Sequence, residues 1–297
     1  MQILINQEPL NYTLESEESL GEVIDGLARW LEDGQYAITS IDVDDRSLPI
    51  HDRSRWQDLE VRSVGKLSLE AFPFSHVEQT TLAAIGDYCV LLQRAIDEKD
   101  ADALQELAAE LPYVRNRIEE FFPALSSADP SDAILLDDAL QRGELPHSGA
   151  RARLKSQLTS VTTIIESRLR ELENPARELG LTLGQLVACS QPLVEVAIQL
   201  QTGNESLAMS TVVRFTELLS RVIRLLPLAA DSDFNSDQIG RFALDLTPFL
   251  QQLSEAFEIQ DGVLIGDLLE YEIAPRLAQL PSLIPDGHIC TEEPAEK

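Results

Sequence analysis

The stretch Gly65–Ile96, GKLSLEAFPFSHVEQTTLAAIGDYCVLLQRAI, contains the change of hydrophobic period that decides the fold. In its first part, Leu67, Leu69 and Ala71 alternate with polar neighbours, as in a β-strand with one buried face. From about Ser75 the apolar positions recur every three or four residues, as in an amphipathic helix, and this period continues through most of the remaining chain. We therefore predict an α+β protein, with a small mixed N-terminal domain followed by a larger all-α domain of antiparallel helical hairpins.

The residues before this stretch predict a β-hairpin and a helix. Residues 1–6 and 10–14 alternate between apolar and polar, and Asn6 to Pro9 supplies turn residues between them. Ser19 then precedes an apolar stripe of helical period, and Glu22 follows three residues later as in a capping box. The stripe consists of Leu20, Val23, Ile24, Leu27 and Leu31.

Gly34 can adopt the left-handed conformation that ends this helix, and strands are predicted at about 36–43 and 65–72 with a polar loop between them. This order of hairpin, helix and further strands, with its opening MQILIN, resembles that of ubiquitin-like (β-grasp) domains. The resemblance covers roughly the first quarter of the chain, which continues past Phe72 without a terminal Gly-Gly. It implies a binding module and not a conjugated tag, although one fold hosts many functions.

The remainder predicts a series of helices, broken by prolines, at about 75–98, 101–122, 151–173, 182–201, 204–226, 236–258 and 261–280. Residues 126–149 form a long connection with one short helix around Ile134–Leu140. The predicted domains are 1–73, mixed α/β and β-grasp-like, and 74–285, all-α. Residues 286–297 lack apolar periodicity and are predicted to be a disordered tail.

An internal repeat is suggested within the helical part. An offset of 104 residues superposes the apolar positions of 96–123 on those of 200–227. The turn sequences EKDADAL, TGNESLA and IQDGVLI each place Asp100, Asn204 or Asp261 where a new helix begins. We interpret this as three related helical hairpins, with chance matching of amphipathic helices as the alternative.

The chain is strongly acidic, with 51 Asp and Glu against 23 Lys and Arg and a formal net charge of −28. A field of this sign repels nucleic acid and anionic membrane surfaces, so neither is expected as a partner. The acids could form a docking face for a basic partner or a DNA-mimicking surface. Because they are spread along the chain, we favour simple solvation, as in a salt-tolerant protein.

The cysteines and the N-terminus indicate a cytoplasmic protein. Cys89, Cys189 and Cys290 lie far apart, which suggests neither a zinc site nor a disulfide framework and fits reducing surroundings. The opening MQILINQEPL is unlike a signal peptide, and no run of 18 apolar residues predicts a membrane span.

The most suggestive local feature is an acidic cluster near the C-terminus. Asp267, Glu270 and Tyr271 fall on one face of a predicted helix, and paired carboxylates can serve acid/base chemistry or bind a cation. More often such a face meets arginines of a neighbouring helix, and Arg221 and Arg224 are the candidate partners. These five residues are the predicted ligand-binding site, with the structural ion-pair network as the favoured reading.

No catalytic residue, metal site or cofactor is predicted. The four histidines are scattered without a second ligand at helical spacing, and no phosphate-binding, nucleotide-binding or nucleophile-elbow motif occurs. Cys89 and Cys189 lie in apolar helical stretches, where a thiolate is disfavoured.

Two functional hypotheses follow from different classes. We favour a non-catalytic adaptor, scaffold or chaperone-like module that binds another protein, either a basic one or one presenting an amphipathic helix. The alternative is an enzyme or small-ligand-binding protein with an acidic site around Asp267 and Glu270. The sequence does not determine the partner or the oligomeric state.

Overall fold

The computed structural model describes residues 1–11, 17–50, 52–125, 135, 137–230 and 234–283. Packing divides the chain into two compact units, Met1–Glu166 and Ser167–Lys297. The small mixed sheet followed by a mostly helical region confirms the α+β prediction. The domain boundary predicted after residue 73 falls inside the first unit and stays a prediction, and the predicted tail 286–297 lies outside the described residues.

The first unit begins with one five-stranded mixed sheet in the order β2-β1-β5-β3-β4. β1 is parallel to β5, whereas the pairs β1–β2, β3–β5 and β3–β4 are antiparallel. The prediction missed β4 because it is short and polar. The strands are β1 Gln2–Ile5, β2 Glu8–Pro9, β3 Tyr36–Val43, β4 Arg46–Leu48 and β5 Lys66–Pro73.

The first hairpin is tighter than predicted. Asn6 and Gln7 have φ of 51° and 69°, so they form a two-residue turn of the kind that joins antiparallel strands. The second strand is therefore Glu8–Pro9, and the prediction of Asn6 to Pro9 as the turn was wrong. Leu10 N–H still donates to the Ile3 carbonyl at 2.9 Å, while residues 12–14 of the predicted strand lie outside the described residues.

Helix α1, Leu20–Asp33, packs its predicted apolar stripe against the sheet. Ser19 Oγ accepts from the Glu22 amide and the Glu22 carboxylate accepts from the Ser19 amide, which confirms the capping box. The predicted left-handed stop at Gly34 was wrong, because Gly34 has φ of −84° and the left-handed residue is Gln35, with φ of 62°.

The helical elements largely follow the predicted ranges. The connection after α3 contains α4, Asp138–Gln141, which overlaps the end of the short helix predicted around Ile134–Leu140. Residues 134 and 136 of that prediction lie outside the described residues. The helices that begin in the first unit are α2 Phe74–Glu98, α3 Ala101–Phe121, α4, and α5 Ser148–Glu173, which contains the boundary at Glu166. Those that follow are α6 Pro175–Ala188, α7 Ser190–Gln201, α8 Glu205–Leu225, α9 Ser236–Glu258, α10 Gly262–Asp267, a π-helix Leu268–Ile273 and α11 Ala274–Leu277.

Two predicted helices are interrupted. The helix expected at 182–201 is two helices, because α6 starts earlier, at Pro175 after the N-cap Asn174, and ends at Ala188 before α7. The helix expected at 261–280 changes to π-helical hydrogen bonding at Leu268, and α11 then ends at Leu277. Periodicity does not register either change, since both leave apolar residues facing the core.

The three hairpin turns singled out in the sequence share one backbone geometry. Lys99, Gly203 and Gln260 are left-handed, with φ of 56°, 77° and 56°. In each turn the next residue donates its amide to a carbonyl five residues earlier, at 3.0, 2.8 and 2.9 Å. These donors are Asp100, Asn204 and Asp261, which precede α3, α8 and α10.

The core of the second unit is built from α6 to α11. One described stretch, Pro175–Gln201, is long and apolar enough to cross a membrane by length and composition, with a mean hydropathy of 1.4. The core helices of soluble proteins pass the same test. This stretch is divided between α6 and α7 and contributes Leu179, Leu183 and Leu193 to the core, although only 33% of it is buried. A single stretch of this kind is weak evidence, so no clear membrane protein is indicated.

Candidate functional site

Three exposed aromatic side chains surround one end of α1. Trp30, near the C-terminal end of α1, is 57% exposed; Tyr36, the first residue of β3, is 40% exposed; and Phe74, the first residue of α2, is 39% exposed. Large aromatic side chains contribute strongly to binding where a partner covers them. We call Trp30, Tyr36 and Phe74 the aromatic groove.

The backbone around residue 35 brings the groove together. The left-handed Gln35 turns the chain from α1 directly into β3. Tyr36 is paired with Pro73 in the sheet, and the Phe74 amide donates to the Gln35 carbonyl at 2.9 Å. The start of β3 and the start of α2 are therefore adjacent, although they are far apart in sequence.

Two cavities open on this surface, and Tyr36 lines both of them. The larger, of about 480 Å³, also contains Trp30, and its volume is within the range of small-ligand pockets. The smaller, of about 250 Å³, also contains Phe74. The walls of the larger cavity include Ile5, Asn6, Leu31, Asp33 and Ala71, and those of the smaller include Ile24, Asp25, Glu32, Ile38, Arg53 and Trp56.

The charge at the groove is negative. Arg53 neutralises Asp25, since its Nη2 lies 2.9 Å from Oδ1 and 2.8 Å from Oδ2 of that carboxylate. Glu32 and Asp33 line the two cavities, are exposed, and have no side-chain partner within the described part of the chain. Glu32 lines the smaller cavity and Asp33 the larger, so a cationic group entering either cavity would find one free carboxylate.

The walls of both cavities are fixed by hydrogen bonds. Asn6, held at positive φ, donates from Nδ2 to the Ala71 carbonyl at 2.8 Å and accepts from the Ala71 amide at 2.9 Å. Trp56 is buried, and its indole N–H donates to the Pro49 carbonyl at 3.0 Å. These hydrogen bonds fix the positions of Asn6 in the larger cavity and Trp56 in the smaller one.

Arg221 and Arg224 take part in a different cluster from the one predicted. On α8, Arg221 Nε lies 2.7 Å from Glu171 Oε1 and its Nη2 lies 2.6 Å from Glu178 Oε2. Arg224 contacts Glu171 through two nitrogens at 3.0 and 3.1 Å, and Arg168 adds a contact at 2.8 Å. We call these five side chains the buried ion network, because both carboxylates are buried, whereas the Arg224 side chain is 48% exposed.

The electrostatics of the buried ion network favour the charged form of Glu171. Burial by itself raises the pKa of this carboxyl group, but hydrogen bonds from Arg224 and Arg168 and the charge of Arg221 outweigh burial and hold the pKa below its usual value. Because Glu171 is only 2% exposed, the network resembles a structural tie between α5, α6 and α8 more than a ligand site.

Asp267, Glu270 and Tyr271 lie at the junction of α10 and the π-helix. Tyr271 is 62% exposed. A hydrogen bond with Glu270, the charge of Glu270, some burial and the charge of Asp267 all raise the Tyr271 pKa. The ion pairs of Arg221 and Arg224 go to α5 and α6 and not to this group. Ligand binding by the five predicted residues stays a prediction.

The other reactive side chains of the described residues have structural contacts. His76 lies against Phe72 with ring centroids 5.2 Å apart, and His147 Nδ1 accepts from the Ala150 amide at 3.2 Å. Burial raises the pKa of the Cys89 thiol to about 12. Within the described ranges, no group of three or more His, Cys, Asp or Glu side chains could hold a metal ion. His51 and His288 lie outside those ranges.

Sequence reasoning missed the aromatic groove, although one signal was present. Trp30 stands beside Leu31 but outside the buried stripe of α1, and a tryptophan on the polar face of an amphipathic helix is unexpected for a solvated surface. Tyr36 and Phe74 gave no such signal, because only the sheet register shows that their segments meet.

Comparisons with known proteins match two parts of the chain. Residues 1–73 match the family model of the TP0873 N-terminal domain, and residues 182–282 match a domain of unknown function, DUF8042. An uncharacterized protein of Treponema pallidum (strain Nichols) is 31% identical over 127 residues, which cover 41% of this chain and 60% of that protein. No solved structure matches.

The candidate residues fall in two separately matched ranges. Trp30 and Tyr36 lie within the first matched range, whereas Arg221, Arg224 and the group around Tyr271 lie within the second. The chain spans about 60% of the length of the Treponema relative. None of the descriptions names an activity, so the functional argument depends on the geometry.

Proposed function

We propose that this protein is a non-catalytic protein–protein interaction module, an adaptor whose N-terminal domain binds a cationic segment of a partner protein in the aromatic groove. The observation that carries the proposal is the combination of three exposed aromatic side chains with two carboxylates, Glu32 and Asp33, that have no partner in the described part of the chain.

The aromatic groove is complementary to a lysine or arginine side chain. A guanidinium or ammonium group over the face of Trp30 or Tyr36 gains roughly 0.5–2 kcal/mol, depending on how far it is desolvated. Asp33 would pair with a cation in the larger cavity, beside Trp30, and Glu32 with a cation in the smaller cavity, beside Phe74. The net charge of −28 would accelerate the approach of a basic segment and make binding weaker at high salt.

The N-terminal domain is proposed to be ubiquitin-like. Two features support this: the strand order β2-β1-β5-β3-β4 with a parallel central pair, and a single helix, α1, packed on one face between the second and third strands. Domains of this layout host many functions, binding among them, so the layout agrees with an adaptor without specifying its partner.

A cytoplasmic location is part of the proposal. The free thiols of Cys89 and Cys189 are both buried in the described helical part, where they pack as small apolar groups and do not form a disulfide. Reducing surroundings are consistent with that use of cysteine.

Site-specific photo-crosslinking in native cells tests the proposal. The full chain would carry benzoylphenylalanine at position 30 or 36 and, as a matched control, at position 244, because Leu244 is 71% exposed on α9. We expect the two groove positions, and not position 244, to capture the same protein through a peptide that contains Lys or Arg.

A titration with the captured peptide completes the test. Trp30→Ala should weaken its Kd by about 30-fold, equivalent to the loss of about 2 kcal/mol at an interface anchor, while Leu244→Ala leaves it unchanged. Equal capture at all three positions, capture through peptides without a cation, no capture, or full affinity of Trp30→Ala would each rule the proposal out.

A further inference from the structure

The first helical hairpin has an open groove between α2 and α3. Leu91 and Ala95 of α2 face Ala103 and Leu107 of α3 across a cavity of about 480 Å³. Leu91 is 43% exposed, whereas Ala95 is buried, so an apolar floor is accessible from outside. The small side chains of Ala95 and Ala103 leave room for a third element to approach both helices closely.

The rim of this groove is acidic and its carboxylates are free. Glu98 of α2 and Glu106 and Glu110 of α3 line the cavity, and none of them has a side-chain partner in the part of the chain that is described. Arg94 is the one cation among the residues that line the groove. The rim therefore complements a positively charged occupant.

The groove is held open by contacts within the hairpin. The buried Tyr88 of α2 donates its hydroxyl to the Leu107 carbonyl of α3 at 2.8 Å, which fixes the spacing of the two helices. Asp100 caps α3 by accepting from the amides of Asp102 and Ala103, at 3.1 Å each, immediately after the left-handed Lys99. The surface is therefore organised without an occupant, which lowers the cost of binding.

The α7–α8 hairpin, which has the same turn geometry, shows what such a pair of helices can pack against. There α7 packs against α10, the π-helix and α11, and α8 packs against α6 and α9. Helices thus cover the second hairpin on several sides, whereas the cavity of the first hairpin is lined, within the described residues, only by α2, α3 and the turn residue Asp100.

We infer that the α2–α3 groove is a second docking surface, separate from the aromatic groove, and that its occupant is a basic amphipathic helix of a partner protein. Apolar side chains of that helix, spaced i, i+3, i+4 and i+7, would lie on Leu91, Ala95 and Leu107. Lys and Arg side chains on its flanks would reach Glu98 on one side and Glu106 and Glu110 on the other.

An unbiased selection tests the inference. A displayed library of helical peptides, with apolar positions at helical spacing and all flanking positions randomised, is selected against the immobilised full chain. Enriched peptides should carry an excess of Lys and Arg at the flanks and should shift the NMR methyl signals of Leu91 and Leu107.

Charge-reversal variants identify the surface. Glu106→Lys with Glu110→Lys should weaken the Kd of enriched peptides by about tenfold or more, as expected for the loss of two ion pairs and their replacement by repulsion. The control pair Glu205→Lys with Glu217→Lys makes the same change of net charge on exposed positions of α8 and should have an effect of less than about twofold. Leu91→Ala tests the apolar floor and should also weaken binding, and circular dichroism confirms that every variant is folded.

The remaining outcomes separate this inference from the proposed function. Trp30→Ala should leave binding of these peptides unchanged, since that residue belongs to the aromatic groove. Enrichment without basic residues, equal losses in the control pair, or no enrichment at all would overturn the inference. So would a concentration-dependent dimer in sedimentation experiments that Leu91→Glu dissociates, because a second copy would then be the occupant.

Discussion

Glu171 is the most heavily paired carboxylate that the structure describes, with guanidinium groups of Arg168, Arg221 and Arg224 around it. Burying a carboxylate is costly unless its charge is compensated, and removing one partner from a buried pair leaves the others uncompensated. Loss of the Glu171 charge should therefore destabilise the fold chiefly by leaving these arginines without their anion.

Glu171→Gln should destabilise the protein by about 3 kcal/mol at pH 7, measured by urea unfolding, because Arg221 and Arg224 lose their common anion. Since the folded-state pKa of Glu171 lies below its usual value of 4.5, its contribution is fully present above that value and is lost as pH falls through the folded pKa. The difference in unfolding free energy between wild type and variant should therefore become smaller in acid. The exposed Glu205→Gln is the control, and a difference that stays constant with pH would contradict the assignment.

The two described cysteines should be nearly inert in the folded protein. Burial raises the pKa of Cys89 to about 12, and burial raises that of Cys189 against the opposing charge of Arg214. Alkylation by iodoacetamide, followed site by site with mass spectrometry at pH 7.5, should be about a hundredfold slower or more than in urea, because only thiolate reacts. Native-state alkylation of Cys89 at the unfolded rate would show that the thiol is accessible.

At the scale of elements, the contact between α7 and α10 depends on a glycine. A Cβ atom at Gly266 would lie 2.6 Å from the Ala197 Cβ, so the helices touch at a distance that no larger residue permits. Gly240, within α9, has no heavy atom within 4 Å of the corresponding position.

These two glycines give a matched pair of substitutions. Gly266→Ala should destabilise the protein by about 1–3 kcal/mol through overpacking. Gly240→Ala should stabilise it by about 0.5–1 kcal/mol, because alanine has the higher helix propensity and meets no neighbour. Urea unfolding measures both, and a stabilising Gly266→Ala would show that α10 can move away from α7.

The capping residues of the three similar turns should stabilise the protein by different amounts. Asp100 and Asp261 each accept two amide hydrogens of the following helix, whereas the Asn204 side chain donates to Thr202 and does not cap α8. Asp100→Ala and Asp261→Ala should each cost about 1 kcal/mol of folding free energy, and Asn204→Ala only a few tenths. Thermal unfolding of the three variants checks the order, which an equal loss in all three would refute.

Element prediction succeeded where one local pattern sufficed. The β3 range, the capping box of Ser19 and the long helices follow from period and cap residues, which act within a few positions. The turn at Asn6 and Gln7 was misplaced because Gln7 carries no left-handed preference, although Asn6 does. Pro192 predicts a kink in the helix expected at 182–201, and the break between α6 and α7 lies three residues before it, at Cys189. The kink was therefore predicted, but the division into two helices was not.

At the scale of the whole molecule, the net charge of −28 should make stability depend on salt. Like charges repel most in the compact folded state, and the screening length falls from about 30 Å at 0.01 M to about 3 Å at 1 M salt. The Tm should therefore rise by several degrees between about 0.05 and 1 M KCl. A falling Tm, measured by calorimetry, would mean that screened attractive pairs outweigh the repulsion.

One sequence does not show which distant residues meet to form the candidate sites. Apolar period shows which face of α1 is buried, but not that β3 and α2 begin side by side at Tyr36 and Phe74. In the same way, Arg221 and Arg224 were recognised as network residues, yet their partners on α5 and α6 lie 50 and 43 positions away from Arg221. Pairings across such separations are decided by topology, which local propensities do not encode.

The π-helix at Leu268–Ile273 sets the rotation of α11 about the helix axis. Its amides bind carbonyls five residues back, so this turn holds one residue more than an α-helical turn. Ile265 before it and Leu277 after it both reach the same core. Deleting one residue here would rotate α11 by about 100° relative to α10 and carry Leu277 away from that core.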